Sequence, residues 1–260
     1  MSRFDSLLYE KFRPDYPARI FREIKKFDNK IVMDLGAGTG RSAQSYLKLF
    51  PDTKITLVEP DIDMIKMAQI RLQAFESQLN WLCGWAKDFR SMDAGKYDGA
   101  LVGSAWHWMS GVHYDEQIKE MLLREIKSKG WLLVFEYQFP KAVDLPDLNE
   151  WVRRQFNLQW RAKDQVPRGK LIELLSPLIK SEDFSLVARD DFDFEVDYDM
   201  DFFTGIIQSQ SRFLRHQERL SDAEQTKERG EMRSQLQHFF KDREHRFTVK
   251  YTSVCLRKTH

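Results

Sequence analysis

The pattern with the clearest chemistry in this chain is Asp34-x-Gly36-x-Gly38-x-Gly40, a carboxylate followed by three alternating glycines. It closes a short apolar run, Lys30–Asp34, that reads as a β-strand. Glycines at that place let the backbone turn sharply and come close to a ligand. Two kinds of ligand are met by such loops. A dinucleotide loop takes the form G-x-G-x-x-G, whose third glycine packs helix on strand while amides face a pyrophosphate. Here Arg41 fills that third place and Gly40 stands one position early. A carboxylate at the strand tip repels a pyrophosphate and suits a ligand that carries ammonium and sulfonium groups.

Three later segments carry further candidates. Glu59 ends a second apolar run, Lys54–Glu59, and is followed by Pro60 and Met64. An acidic side chain there accepts hydrogen bonds from both hydroxyls of a ribose, a use shared with NAD enzymes, so Glu59 alone does not decide between the two ligands. Gly84-Trp85-Ala86-Lys87-Asp88-Phe89 follows a third run, and Asp88 is placed to accept from an adenine amino group. Gly103-Ser104-Ala105-Trp106-His107-Trp108 follows a fourth. His107 is a candidate general base there, and a histidine packed between two tryptophans is the other reading.

These positions share one feature: each lies just after a strand. Strands are expected at Lys30–Asp34, Lys54–Glu59, Leu79–Trp85, Tyr97–Gly103 and Trp131–Tyr137, with helices at Arg41–Phe50, Asp61–Phe75 and Tyr114–Lys127 between them. Gly130 suits a left-handed cap after the last helix. Such alternation implies right-handed crossovers and a parallel sheet covered on both faces, with ligands beyond the carboxyl ends of its strands. From Pro140 the pattern changes. Prolines punctuate two helical pieces, Leu148–Trp160 and Arg168–Ile179, which read as a cap. A strand near Phe192–Val196, a helix over 199–214, a long charged helix opened by the capping box Ser221-x-x-Glu224, and a strand at Phe247–Leu256 complete the chain.

Composition narrows the partners. The 260 residues carry 41 basic and 40 acidic side chains, for a net charge of +1, so no global field draws a polyanion and nucleic acid is not the expected partner. No apolar run exceeds five residues, which excludes a spanning helix, and the amino terminus lacks the form of a secretory signal; the expected location is the cytoplasm. Cys83 and Cys255 read as reduced core residues with no metal-ligand spacing, and no metal is expected.

Asp34–Gly40, Glu59, Asp88 and the segment after the fourth strand together resemble the class I S-adenosylmethionine-dependent methyltransferases. Within them the chain is similar to the methyltransferase type 11 group and the trans-aconitate methyltransferase branch. Phe12-Arg13-Pro14-Asp15-Tyr16-Pro17 resembles that branch's R-P-x-Y-P element, Trp106-His107-Trp108 its H-W segment, and Ser209-Gln210-Ser211 its late S-x-S helix. The resemblance implies an α/β, three-layer Rossmann-like fold: a seven-stranded, mostly parallel sheet with a helical cap over the carboxyl ends of the strands. It implies one domain over 1–260, with residues 1–29 covering the cofactor and residues 140–181 inserted as the cap. S-adenosylmethionine would be held by Asp34, Gly36, Ala37, Gly38 and Gly40 at its methionine part, Glu59, Pro60 and Met64 around the ribose, and Lys87 and Asp88 at the adenine. Gly103 and Ser104 would complete the site, with Tyr9 and Arg13 reaching the cofactor carboxylate or the substrate. The implied reaction is in-line displacement onto an oxygen, nitrogen or carboxylate nucleophile of a small organic molecule by a monomer or homodimer. An apolar entrance built from Trp106, Trp108, Trp151 and Trp160, with Arg13 or Arg212 meeting an acceptor carboxylate, fits that class. The segment 103–106 lacks the N/D-P-P-Y element of DNA-base and glutamine amino-methylases. Methylation of a protein or tRNA, and cofactor binding without turnover, stay open as alternatives.

Overall fold

Val32, Met33 and Leu35 have no solvent contact, so the first strand, β1 (Ile31–Leu35), is buried on both faces, as a central parallel strand must be. The computed structural model of the protein describes residues 6–111, 115–160 and 169–260. β2 (Lys54–Glu59), β3 (Leu79–Cys83), β4 (Tyr97–Gly103) and β5 (Ile126–Tyr137) follow, all parallel, in the spatial order β3-β2-β1-β4-β5. After the two-residue β6 (Lys141–Ala142) come β7 (Phe184–Tyr198) and β8 (His245–Lys258). The carboxyl half of β8 runs antiparallel to β5, from Trp131 opposite Arg257 to Tyr137 opposite Tyr251, and β7 pairs with β8. The fold is therefore mixed α/β around a mostly parallel sheet, with eight strands among the described residues where seven were expected, β6 being the short eighth.

Two compact units are present. One holds the described residues of Asp15–Tyr137, Arg168–Phe192 and Tyr251–His260, and contains the parallel sheet. The other holds those of Met1–Pro14, Gln138–Pro167 and Asp193–Lys250. This division differs from the expected single domain with a cap at 140–181. The expected cap is split between the units, and the amino-terminal segment 1–29 divides after Pro14. The reason is visible in the helices Leu171–Leu174 and Ser176–Lys180. Leu171 and Leu178 of these helices, with Leu175 between them, join the core of the sheet with Trp106 and Ile118, so they belong with it. Arg168, the expected start of this helical piece, lies outside the described residues, as does Tyr114, the expected start of the helix Asp115–Glu125.

The second unit has an aromatic core. Trp160 is buried against Phe156 and Phe213, each with ring centroids 5.1 Å away, and its indole N–H donates to Glu228 at 3.0 Å. Glu228 also accepts from Gln159 at 2.7 Å and Gln217 at 2.6 Å, and lies 2.9 Å from His216 Nε2. A carboxylate this deeply buried is tolerated because donors surround it. The helix Asp222–Phe240 that carries it starts at the anticipated capping box, with Ser221 N donating to Glu224 at 2.8 Å.

Local departures from the sequence reading have physical causes. Lys129, not Gly130, takes the left-handed φ of 62°. Gly130 is required for space, since a Cβ there would stand 2.7 Å from the Asp98 carbonyl oxygen. β7 runs over 15 residues, far beyond Phe192–Val196. Its alternating aspartates suit a strand with an exposed edge and mask the apolar period that would announce it. The helix expected over 199–214 is broken into Met200–Gln208 and Ser211–Gln217. Cys255 is buried, which pushes its thiol up to about 12, whereas Cys83 is exposed and not the core residue expected.

Candidate functional site

Asp34 ends β1 with no exposed surface. Its Oδ2 accepts from the Ser42 hydroxyl at 2.5 Å, while its Oδ1 has no hydrogen-bond partner among the described residues. Burial pushes its carboxyl up to about 7; the Ser42 hydroxyl opposes this, and the nearby Glu59 carboxylate adds to it. Thr39 Oγ1 is another buried oxygen without a hydrogen-bond partner among the described residues. Buried polar atoms are nearly always satisfied, so this pair asks for donors and acceptors from a ligand.

The loop between them is turned inward. Gly36, Gly38 and Gly40 hold φ of 69°, 56° and 79°, which glycine adopts without strain. The Gly36 and Ala37 amides both donate to the Val58 carbonyl, at 2.8 and 3.2 Å, the Gly40 amide donates to Ala37 O at 2.9 Å, and the Gly38 amide donates to Glu59 Oε2 at 2.9 Å. A phosphate-binding loop aims such amides at the ligand; this one does not. Gly36 and Gly40 are needed for packing, since a Cβ would stand 2.7 Å from Ala105 Cβ at the first and 2.8 Å from Leu72 at the second. A Cβ on Gly38 meets nothing within 4 Å among the described residues, which leave that face of the loop open.

Glu59 is held rigidly. Its second oxygen accepts from the Asp61 amide at 3.0 Å, and burial raises its pKa against the pull of the Gly38 and Asp61 amides. Each oxygen keeps a lone pair for one hydroxyl. Pro60 follows directly, and Met64 is buried in the helix Ile62–Arg71, which Asp61 caps through the Asp63 and Met64 amides. Lys87 and Asp88 sit on the short 3-10 turn Ala86–Asp88 after β3, with Nζ and Oδ1 3.6 Å apart and Asp88 largely exposed. At the end of β4, Gly103 leads into Ser104, whose φ is 53°. His107 lies on the short helix Trp106–Met109, its ring 4.8 Å from that of Trp108.

The parallel-sheet unit thus contains Asp34, Gly36–Gly40, Glu59, Pro60, Met64, Lys87, Asp88, Gly103, Ser104 and His107. Tyr9 and Arg13 belong to the other unit. There the Arg13 guanidinium lies 4.7 Å over the Tyr9 ring and donates to the Ser209 carbonyl at 2.7 Å, which ties two motif segments together. Arg212 is partly buried in the same unit, and burial lowers its pKa. Of the four entrance tryptophans, Trp106 and Trp108 are in the sheet unit, and Trp151 and Trp160 in the other. Trp106 and Trp160 are core residues, the first donating to Leu174 O at 3.3 Å. The sequence reading missed Ser42, Thr39 and Tyr16. Ser42 was findable as the hydroxyl residue in the first helical turn after the loop. Tyr16 lay within a motif already quoted, but its partner Ser104 is 88 residues away.

A family model described as "Methyltransferase domain" matches residues 32–129. CRG1 of Saccharomyces cerevisiae, described as an S-adenosylmethionine-dependent methyltransferase, is 24% identical over 169 residues, covering 62% of this chain and 55% of its own. The trans-aconitate 2-methyltransferase of Rhodopseudomonas palustris is 24% identical over 192 residues, covering 68% of this chain and 70% of its own. A solved structure from Anaeromyxobacter dehalogenans described as a type II methyltransferase superposes with a TM-score of 0.68 at 19% identity, covering 94% of this chain and 97% of its own, and so shares the fold. Residues 32–129 thus match a methyltransferase-domain family model, and the chain shares the fold of a solved methyltransferase. The chain spans 55% of CRG1 and 44% of a methyltransferase of Mycobacterium tuberculosis, about half the length of these curated relatives.

The open face of the loop gives a direct check. Gly38→Ala adds a methyl group that touches no atom of the described residues, so it is expected to cost only about 1 kcal/mol, the strain of a left-handed alanine. Its affinity for S-adenosylhomocysteine is expected to fall by roughly tenfold or more, a change measured by calorimetry alongside the melting temperature.

Proposed function

We propose that this protein binds S-adenosylmethionine at the carboxyl ends of β1, β2 and β3 and transfers its methyl group to a small organic acceptor. The observation that carries this reading is the buried Asp34 with an unpartnered oxygen beside a glycine loop whose amides are turned inward. Such a site favours a cationic ligand over a phosphorylated one. Asp34 would accept from the cofactor's ammonium group, Glu59 from the ribose hydroxyls and Asp88 from the adenine amino group. The cofactor supplies a methyl group on a positively charged sulfur, already activated for displacement. What remains to the chain is alignment of the nucleophile with that methyl group and removal of a proton where the nucleophile is an amine or hydroxyl.

His107, on the turn of helix after β4, is our candidate for that proton. His107→Gln is expected to lower kcat about 10²-fold, to remove the acid limb of its pH profile, and to leave S-adenosylhomocysteine affinity within about twofold. Full activity in this variant would make His107 a packing residue. The small-molecule acceptor draws support from the near-neutral charge and from the relative named for trans-aconitate, a small carboxylic acid.

The deciding experiment presents methyl-labelled cofactor with a panel of small acids, amines and phenols, and separately with proteins and tRNA, using Asp34→Ala as the blank. Label on a small molecule supports the reading. Label confined to macromolecules replaces it with the protein or tRNA alternative, and cofactor binding without label transfer replaces it with a binding protein.

A further inference from the structure

Ser104 holds φ at 53°, in the left-handed region where any side chain strains the backbone. Glycine is the default residue there, yet this chain has serine. The turn it makes presses on the glycine loop from two sides. A Cβ on Gly103 would stand 3.1 Å from Ser42 Cβ, and one on Gly36 would stand 2.7 Å from Ala105 Cβ. Ser42 is the donor to Asp34. The shape of residues 103–105 therefore sets the space around both Asp34 and Gly36.

Two contacts hold the strained residue. Its amide donates to the Phe135 carbonyl at 2.7 Å, and its hydroxyl is hydrogen-bonded to the Tyr16 hydroxyl at 2.9 Å. Tyr16 is itself fixed: it is 8% exposed, and its ring meets Phe135 edge-on at 4.7 Å. The residue before it is clasped twice. Tyr251 donates to the Asp15 carbonyl at 2.8 Å, and the Asp15 carboxylate pairs with Arg41 at 2.6 Å, with Arg71 at 3.7 Å. Arg41 is the residue that follows Gly40. The strap Asp15–Tyr16 thus joins the end of the loop to the turn after β4.

We propose that Tyr16 is a positioning residue: its hydroxyl holds Ser104 in the left-handed turn and so keeps the cleft beside Asp34 and Gly36 shaped for the cofactor. Ser104 acts through its backbone, with its hydroxyl committed to Tyr16. The inference rests on the cofactor reading above.

The test measures S-adenosylhomocysteine affinity and melting temperature for the wild type, Tyr16→Phe, Ser104→Ala, Ser104→Gly and the double variant Tyr16→Phe/Ser104→Gly. Tyr16→Phe and Ser104→Ala, which keep a strained residue but lose its tether, are expected to bind about tenfold more weakly. The double variant is expected to bind as Ser104→Gly does, and both more tightly than Ser104→Ala, because glycine takes this φ without help. A loss in Ser104→Gly equal to that in Ser104→Ala would overturn the proposal, since the hydroxyl would then act on the ligand itself. Equal affinity in all five proteins would overturn it too. A wild type that does not bind S-adenosylhomocysteine defeats the cofactor reading instead, and the melting temperatures then decide the turn. Destabilisation by Tyr16→Phe that vanishes in the Ser104→Gly background supports the tether; the same loss in both backgrounds refutes it.

Discussion

Asp34→Asn is expected to weaken S-adenosylhomocysteine binding by about 100-fold or more while leaving the ligand-free protein at least as stable as wild type. The two effects have one cause. Asp34 is fully buried, and burial with the Glu59 carboxylate nearby pushes its carboxyl up to about 7. The ionised form is therefore costly in the ligand-free fold and favourable only when a cation arrives. Asparagine keeps an oxygen for Ser42 and removes the charge. Calorimetric titration gives the affinity and denaturant unfolding the stability; a variant that binds as wild type would remove Asp34 from the site.

The same residue fixes the sign of two pH effects. In the proposed function the cofactor's ammonium group pairs with ionised Asp34, so affinity is expected to be flat above about pH 7 and to fall as the pH drops below it. Stability of the ligand-free protein runs the other way. The folded carboxyl keeps its proton to a higher pH than the unfolded one, so the stabilising contribution is full below the ordinary carboxylate range. It is lost as the pH rises from there to about 7. Asp34→Asn should abolish both dependences. An affinity profile unchanged by the substitution would assign the titration to another group.

Gly99→Ala is expected to destabilise the protein by about 3 kcal/mol or more and to lower its melting temperature by roughly 10 °C. Gly99 lies in β4 between Val32 of β1 and Trp131 of β5. A Cβ there would stand 2.1 Å from two atoms of the Trp131 indole, well inside contact distance. The indole has no room to yield. It is completely buried, and its N–H donates to the Asp28 carbonyl at 2.9 Å. Displacing it would leave that carbonyl unpaired or force β4 from β5 at the centre of the sheet. Differential scanning calorimetry tests this directly, and a melting temperature within about 2 °C of wild type would show that the ring moves freely.

Much of the sheet unit was legible because its signals are local. The apolar runs that become β1 to β5 are short, buried and followed by polar turns, so strand position and the residues at strand tips follow from period and punctuation. Asp34, the glycines and Glu59 were found in that way, and the structure adds which groups they touch. Asp88 follows β3 as expected, but its exposed side chain has no ion-pair partner beyond Lys87 among the described residues to fix its direction. Less was legible beyond Tyr137. β7 alternates charged residues on an exposed edge, which hides its period, and Trp151 and Trp160 proved to belong to a different unit from Trp106 and Trp108.

The sequence by itself carried the likeness to the methyltransferases, because Asp34–Gly40, Glu59 and Asp88 are short features at strand tips whose order and spacing no tertiary contact can move. It also determined that Arg41 stands where a dinucleotide loop needs glycine. Only the tertiary structure decided the electrostatic state of Asp34, since that depends on burial, on Ser42 and on Glu59 across the sheet. Only it showed the loop's amides turned inward and Tyr16 holding Ser104, 88 residues apart in the chain. Strand tips are set by neighbours in sequence; pKa values, hydrogen-bond direction and backbone strain are set by neighbours in space.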